Sequence, residues 1–188
     1  MRVIAGKFRS RPLHSIRGMD LRPTADRLRE TLFNVLGAGN AAAFEGKVWF
    51  DLCAGTGSVG IEALSRGAAR VHFVESSTAA ASLIRRNLGS LKVESGFDLL
   101  NEDVTRALRQ LEAKNVIADF IFLDPPYRLE KLYVQVLQML AQSRLLAPHT
   151  VVIAEHDKRF DPGEAFAPLF RYRRLEQGDA VLSFYRQK

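Results

Sequence analysis

The sequence contains a single cysteine, Cys53, among its 188 residues. One cysteine excludes an internal disulfide and favours a reducing compartment, so we expect the protein in the cytoplasm. No segment approaches the roughly 18 consecutive apolar residues of a membrane span, and the basic, interrupted N-terminus does not have the apolar core of a signal peptide. The histidines show no spacing typical of metal ligands, so we predict no metal site. With no internal repeat and no low-complexity tract, the composition indicates one globular domain.

The net charge of +6 is located at one end of the chain. Residues 1–29 contain eight basic and two acidic side chains, and the remaining residues contain equal numbers of the two. A basic segment in front of a neutral domain is typical of nucleic-acid binding, because neutralising phosphates supplies affinity that does not depend on base sequence. A solvated basic tail is the alternative. The predicted RNA contacts are Arg9, Arg11, Arg22 and Arg27. For the last two, helix packing with an ion pair to Glu30 is an equal alternative.

The hydrophobic pattern changes along the chain from one N-terminal helix to strands that alternate with helices. Residues 2–13 predict a short strand or hairpin, and residues 21–37 predict a helix with Thr24 as its N-cap. Five buried strands separated by four helices follow, and a closing antiparallel hairpin turns at Gly178. We therefore predict an α/β fold with a mostly parallel sheet, covered on both faces, and a ligand crevice at the carboxyl ends of its strands. The predicted division is a basic arm over residues 1–22 and one globular domain over residues 23–188.

Gly55, Gly57 and Gly60 follow a buried strand in the G-x-G-x-x-G spacing of a dinucleotide-binding turn. The motif alone does not separate a nicotinamide cofactor from another adenosine-containing ligand. Glu75, at the end of the next strand, suits the ribose hydroxyls in either case. Asp51 lies four residues before Gly55, where its charge would oppose a pyrophosphate and attract a cation. The pattern therefore favours S-adenosylmethionine, which has no phosphate and carries a sulfonium and an ammonium group.

Asp103 ends a third predicted strand and has two open interpretations. It either caps the following helix or contacts the adenine, and both functions are compatible. The alternative for Asp51 is a turn-forming or helix-terminal charge. The predicted cofactor-binding residues are Asp51, Gly55, Thr56, Gly57, Glu75 and Asp103.

The sequence DPPY, residues 124–127, follows the fourth predicted strand. Methylating an exocyclic base amine is difficult because the nitrogen lone pair is delocalised into the ring. The Asp124 carboxylate and the Pro125 carbonyl can each accept a hydrogen bond from the amine, which favours a pyramidal nitrogen with its lone pair directed at a methyl donor. Prolines keep the turn stiff and present no N–H, and Tyr127 supplies a flat face for a flipped base. We predict Asp124, Pro125 and Tyr127 as the catalytic residues; the alternative is a rigid loop after a core strand.

These residues resemble the class I S-adenosylmethionine-dependent methyltransferases, whose amino-methylating members carry D-P-P-Y or N-P-P-Y. More narrowly, the stretches RPTADRLRETLFNVL, DLCAGTGSVGIEALSRGA and DPPY resemble the bacterial 16S rRNA guanine-N2 methyltransferases, the RsmD-like proteins. The resemblance covers essentially the whole chain. It implies a Rossmann-like, seven-stranded, mostly parallel sheet with an antiparallel last strand, preceded by a small hairpin. It also implies S-adenosylmethionine as cofactor and one guanine of 16S rRNA, in a pre-assembled small subunit, as substrate.

Two other functions stay open at this point. An adenine-N6 DNA or RNA methyltransferase would use the same DPPY turn, although 188 residues leave no room for a domain that reads a DNA sequence. A catalytically silent RNA-binding assembly factor would keep the fold, but the intact Gly55 and Asp124 argue against silence. We expect a monomer that does not contact membranes.

Overall fold

The computed structural model describes residues 1–15, 23–40 and 42–188, and for residues 23–25 only the backbone. Arg22, one of the predicted RNA contacts, lies outside the described residues. The helices are α1 (Pro23–Gly37), α2 (Ser58–Ser65), α3 (Thr78–Ser90), α4 (Val104–Ala113) and α5 (Glu130–Ala141). The strands are β1 (Val48–Leu52), β2 (Arg70–Val74), β3 (Phe97–Leu100), β4 (Ala118–Leu123), β5 (Leu146–Asp157), β6 (Ala165–Phe166), β7 (Leu169–Gln177) and β8 (Ala180–Gln187). None of the helices in these described ranges is long and apolar enough to cross a membrane.

The strands form one sheet in the order β3-β2-β1-β4-β5-β8-β7-β6. The first five strands in that order pair in parallel, and the pairs from β5 to β6 are antiparallel. The predicted mostly parallel α/β fold with an antiparallel end is therefore confirmed. Within the described residues, the sheet has eight strands instead of the expected seven. The additional strand, β6, is a two-residue segment paired with β7, which is too short to produce a readable alternation of apolar and polar residues.

Helices cover both faces of the sheet because its central strands are apolar on both sides. On one face, Leu28, Leu32 and Phe33 of α1 join residues of α2 and α3 in a core around Trp49. The Phe33 ring stacks on the Trp49 ring with centroids 5.2 Å apart. The other face buries the apolar sides of α4 and α5, including Tyr133. The two clusters therefore bury the two faces of the sheet.

Helix α1 begins one residue before the position predicted for its cap. Thr24, predicted as the N-cap, lies inside the helix, whose first residue is Pro23. Proline suits the first helical position because its missing N–H has no partner there in any helix. In the fourth helix the prediction is confirmed, since the Asp103 side chain caps α4.

The N-terminal segment returns on itself and is fastened to α2 and α3. A single antiparallel bridge joins Arg2 and Pro12, so the described residues 1–15 contain a hairpin-like loop without an extended strand. The buried Glu62 carboxylate of α2 accepts hydrogen bonds from the N–H groups of Ile4 and Ala5 at 2.8 and 2.9 Å. Gly6 contacts α2 so closely that a Cβ there would lie 1.8 Å from the Ser65 carbonyl oxygen. The division between arm and domain stays a prediction.

Candidate active site

The glycine turn leaves the carboxyl end of β1 and leads directly into α2. Gly55 and Gly57 have φ angles of 57° and 74°, in the left-handed region that residues with a Cβ rarely adopt. The Gly57 N–H donates to the Ala54 carbonyl at 2.7 Å, which closes the turn. The predicted glycine turn therefore has the conformation in which a backbone can approach a ligand closely.

Two carboxylates from neighbouring strands brace this turn. Asp51, only 2% exposed, accepts a hydrogen bond from the Gly60 N–H at 2.9 Å. Glu75 accepts from the Gly55 N–H at 2.8 Å with one oxygen and from the Ser77 N–H at 2.8 Å with the other. Each carboxylate oxygen has about two acceptor sites, so these bonds leave capacity for a ligand. The contacts of both residues with a cofactor stay predictions.

Asp103 faces the same edge of the sheet from the end of β3. One of its oxygens accepts from the Thr105 N–H at 2.8 Å and from the Thr105 hydroxyl at 2.6 Å. The Thr105 hydroxyl is the main reason that the pKa of Asp103 lies below its usual value. Asp103 is therefore the N-cap of α4, one of its two interpretations, and its adenine contact stays a prediction. Asn101, which the sequence analysis did not single out, donates to the Glu75 carbonyl at 2.8 Å and fixes the adjacent strand end.

Four predicted acids converge around Cys53. Its thiol pKa is raised by burial first and then by four nearby carboxylates, in the order Asp124, Glu75, Asp51 and Asp103. A thiol in such surroundings stays protonated, which agrees with a packing role instead of a nucleophilic one. The crevice is therefore strongly acidic, although its residues come from four different strand ends.

Removal from water, together with this acidity, changes the proton affinity of the buried Asp51 and the partly exposed Asp124. Burial is the main cause that raises the pKa of Asp51 to about 7; the Gly60 hydrogen bond opposes the shift and the nearby Glu75 adds to it. The pKa of Asp124 is raised well above its usual value, first by removal from water and then by Glu155 and Asp51. A cation placed among these groups would stabilise their ionised forms, whereas a pyrophosphate would be repelled.

The DPPY turn starts beside the glycine turn. Strand β4 pairs with β1, and the Asp124 N–H donates to the Leu52 carbonyl at 3.2 Å. Pro125 is buried, whereas Tyr127 is partly exposed and its hydroxyl lies 3.4 Å from a Glu155 carboxylate oxygen. The three predicted catalytic residues are thus brought together with the predicted cofactor residues at one edge of the sheet. Their catalytic roles stay predictions.

The Tyr133 side chain of α5 contacts the DPPY turn, and this contact was not predicted from the sequence. Its hydroxyl lies 2.9 Å from the Pro125 carbonyl and 2.8 Å from the Glu155 carbonyl, so one proton is shared between two acceptors. Its ring is completely buried. Burial followed by the nearby Asp124 raises the pKa of this hydroxyl, so it remains a hydrogen-bond donor at any physiological pH.

A pocket of about 90 Å³ opens next to Asp124. Its walls include Leu28 and Arg29 of α1, Val59 of α2, and Glu155 at the end of β5. Glu155 was also missed in the sequence, although it is an acid near a strand end, like the acids that were selected.

The predicted RNA contacts have different surroundings. Arg9, Arg11 and Arg27 are exposed, and one Arg11 guanidinium nitrogen donates to the Ser90 carbonyl at 3.2 Å. Arg29, by contrast, is buried and pairs with Asp26 at 3.1 Å. Within the described ranges, no group of three or more His, Cys, Asp or Glu side chains could hold a metal ion.

Known proteins match the chain over most or all of its length. The family model described as conserved hypothetical protein 95 matches residues 1–186. Ribosomal RNA small subunit methyltransferase D of Haemophilus influenzae is 35% identical over 159 residues, which are 84% of this chain and 79% of that protein. The structure of yhhF from Escherichia coli has a TM-score of 0.82 at 28% identity and covers 100% of this chain and 98% of that chain.

A more distant structure was solved with a bound cofactor product. SMU.776 complexed with SAH has a TM-score of 0.66 at 16% identity, covers 85% of this chain and 48% of that chain, and shows likeness in fold alone. The whole-chain family match and the similarity to the Haemophilus protein confirm the resemblance read from the sequence. The chain belongs to the conserved hypothetical protein 95 family, together with ribosomal RNA small subunit methyltransferase D.

Proposed function

We propose that this chain transfers a methyl group from S-adenosylmethionine to the exocyclic N2 amine of a guanine in 16S rRNA of the small ribosomal subunit. One observation carries the proposal: the glycine turn and the DPPY turn leave adjacent parallel strands side by side, in register at Leu52 and Leu123. A methyl donor on the first turn and a base amine on the second would therefore meet in one crevice. Family membership supports the rRNA substrate, because the Haemophilus relative is named for small-subunit rRNA.

The chemistry of the crevice fits S-adenosylmethionine. Its acids, Asp51, Glu75 and Asp103, suit the cationic amino-acid end and the neutral adenosine of that molecule, with Gly55, Thr56 and Gly57 supplying close backbone contact. Bound there, S-adenosylmethionine supplies an electrophilic methyl group on a sulfonium. A nicotinamide dinucleotide would bring two phosphates next to the buried Asp51. Among the described residues, no cation contributes to the pKa of Asp51, so nothing there would offset the repulsion.

The DPPY turn provides acceptors for the amine. The Asp124 carboxylate and the Pro125 carbonyl each take one amine N–H, and the carbonyl has a second lone pair besides the one directed at Tyr133. The raised pKa makes the Asp124 carboxylate a stronger base than an exposed aspartate. It takes the amine proton as the nitrogen–carbon bond forms and the carbon–sulfur bond breaks. The Tyr127 ring stacks on the base and keeps the amine in line.

The exposed arginines near the N-terminus bind the RNA backbone in this proposal. Arg9, Arg11 and Arg27 contact phosphates, as does Arg22, which lies outside the described residues. Hydrogen bonds to Glu62 hold the N-terminal loop on α2, so its cations keep a defined position relative to the domain. We further propose that the protein acts as a monomer in the cytoplasm.

A labelling experiment tests the proposal. The protein is incubated with labelled S-adenosylmethionine and small subunits that lack the modification, and the methylated nucleotide is mapped. N2-methylguanine is the expected product. N6-methyladenine would identify an adenine methyltransferase instead, and no label would indicate a silent assembly factor.

An Asp124→Ala variant tests the site within the same assay. We expect turnover to be abolished while the dissociation constant of S-adenosylmethionine changes little, because Asp124 faces the base. Glu94→Ala, which removes an exposed acid from the loop before β3, serves as the control and should behave as wild type. An equal loss of cofactor affinity in Asp124→Ala would contradict the role assigned to Asp124.

A further inference from the structure

Asp124 and Glu155 stand next to each other at one end of the sheet. Strands β4 and β5 are parallel and in register at Leu123 and Ala154, so the next residue of each strand occupies the same level. Neighbouring strands are about 4.8 Å apart, close enough for the two carboxylate side chains to converge on adjacent groups of one base edge. Both line the 90 Å³ pocket. The Tyr133 hydroxyl fixes the two segments relative to each other through the carbonyls of Pro125 and Glu155.

The base edges differ in what they present to such a pair. Guanine carries two neighbouring donors, the N2 amine and the N1–H, followed by the O6 acceptor. Adenine carries its amine beside the N1 lone pair, which is an acceptor. An ionised carboxylate only accepts hydrogen bonds, so two of them match the guanine edge and oppose the adenine edge.

We propose that Glu155 is the residue that selects guanine, accepting the N1–H of the target base while Asp124 accepts the N2 amine. This role rests on the proposed guanine-N2 methylation and adds the source of its base specificity. Glu155 also lies within reach of the Tyr127 hydroxyl, at 3.4 Å from one carboxylate oxygen. The tyrosine that stacks on the base would thus also orient the group that reads it.

The surroundings of Arg29 independently indicate that a ligand with a hydrogen-bond acceptor binds in this pocket. It lines the pocket and is 4% exposed, yet its Nε has no hydrogen-bond partner among the described residues. A Glu62 carboxylate oxygen lies 3.8 Å from that nitrogen, within ion-pair distance but too far for a hydrogen bond. A buried donor without a partner is costly, and an acceptor on a ligand would satisfy it. Guanine presents O6 as an acceptor at the position where adenine has its amine.

The electrostatics of Asp124 and Glu155 agree with a ligand that donates two hydrogen bonds. Glu155 and Asp51 both raise the pKa of Asp124, because like charges are close together in a region removed from water. Two donors from one neutral base would stabilise the ionised pair without bringing in a counter-ion.

A base analogue separates this role from the proposed function. Small subunits are reconstituted with 2,6-diaminopurine at the target position, which keeps the N2 amine but replaces the N1–H with a lone pair and the O6 acceptor with an amine. We expect wild-type kcat/KM to be at least about 10- to 100-fold lower for the analogue than for guanine, since the N1–H donor opposite the charged Glu155 is lost together with the O6 acceptor. Equal rates on both bases would overturn the role of Glu155 while leaving guanine-N2 methylation standing.

Glu155→Gln gives a second, opposite readout. The glutamine amide can donate to the N1 lone pair, so the preference for guanine over the analogue should fall at least tenfold, with S-adenosylmethionine affinity unchanged. Glu94→Gln, an exposed substitution with the same chemistry, should keep the wild-type preference. A folded Glu155→Gln variant that keeps the wild-type preference for guanine over the analogue would overturn the inference. If the variant does not fold, the rates of the wild-type protein on guanine and on the analogue decide the question. Labelling of adenine N6 by the wild type would overturn both the inference and the proposed function.

Discussion

Replacing Tyr133 with Phe removes one buried hydroxyl and tests whether α5 positions the catalytic turn. The hydroxyl donates toward the carbonyls of Pro125 and Glu155 at 2.9 and 2.8 Å, and its ring packs 5.4 Å from the Phe160 ring. Phenylalanine keeps the ring packing and leaves both carbonyls without this donor. The expected cost is about 2 kcal/mol of unfolding free energy, within the range for a buried group left unsatisfied. For a chain of this length that lowers Tm by about 4 to 8 °C.

The same variant should lose activity in a selective way. Because the glycine turn is untouched, S-adenosylmethionine should bind with nearly wild-type affinity, whereas kcat should fall at least tenfold as the Pro125 carbonyl loses its fixed position. Thermal unfolding, calorimetric cofactor titration and the labelling assay measure the three quantities. Tyr172→Phe removes a hydroxyl from a side chain that is 44% exposed and should change none of them. Wild-type Tm and kcat in Tyr133→Phe would refute the positioning role, and a parallel loss of cofactor binding would indicate general damage instead.

Three further variants test the glycine turn, the buried acid Asp51 and the N-terminal arm. Gly60→Ala should lower Tm, because its Cβ would lie 2.3 Å from a buried phenylalanine ring of β2, whereas Gly89→Ala, with nothing within 4 Å, should not. The free energy of unfolding should fall as pH rises from about 4 to about 7, since the folded state raises the Asp51 pKa from 3.8 to about 7. Asp51→Asn should remove up to about 4 kcal/mol of this pH dependence, which urea titrations at several pH values measure. Arg9→Ala with Arg11→Ala should reduce the salt slope of RNA binding by about 2, and an unchanged slope would make the arm a bystander.

Local patterns were sufficient to predict most of the fold. The alternation of apolar strands with amphipathic helices, the hairpin at Gly178 and the cap at Asp103 each depend on residues close in sequence, and the structure confirms them. Strand β5 begins at Leu146, four residues before its apolar run, although Pro148 lacks a donor for the ladder. A shift in register between β4 and β5 accommodates this extension. Such pairing depends on the neighbouring strand and cannot be read from the segment alone.

Site residues that directly follow a strand could be predicted from the sequence. Contacts between residues far apart in the sequence could not. Asp51, Glu75 and Asp124 could be selected because parallel strands end at one edge. Tyr133 reads as one more apolar position of an amphipathic helix, and only the fold brings its hydroxyl to the DPPY turn. Glu62 reads as a surface acid in a short helix, yet it is fully buried and binds backbone N–H groups 57 and 58 residues away.

The contrast between Glu62 and the acids of the crevice distinguishes structural from functional charge. Glu62 is as buried as Asp51, but it pairs with Arg66 at 2.8 Å and lies 3.8 Å from Arg29. Among the described residues, the charged groups that shift the pKa of Asp51 and Asp124 are other carboxylates, and each of these groups disfavours the ionised form. Two arginines neutralise the buried Glu62, whereas the pKa shifts of Asp51 and Asp124 show no such neutralisation by the described residues. Within the described residues these acids lie among like charges, which reduces stability, and a bound cationic ligand would offset that cost.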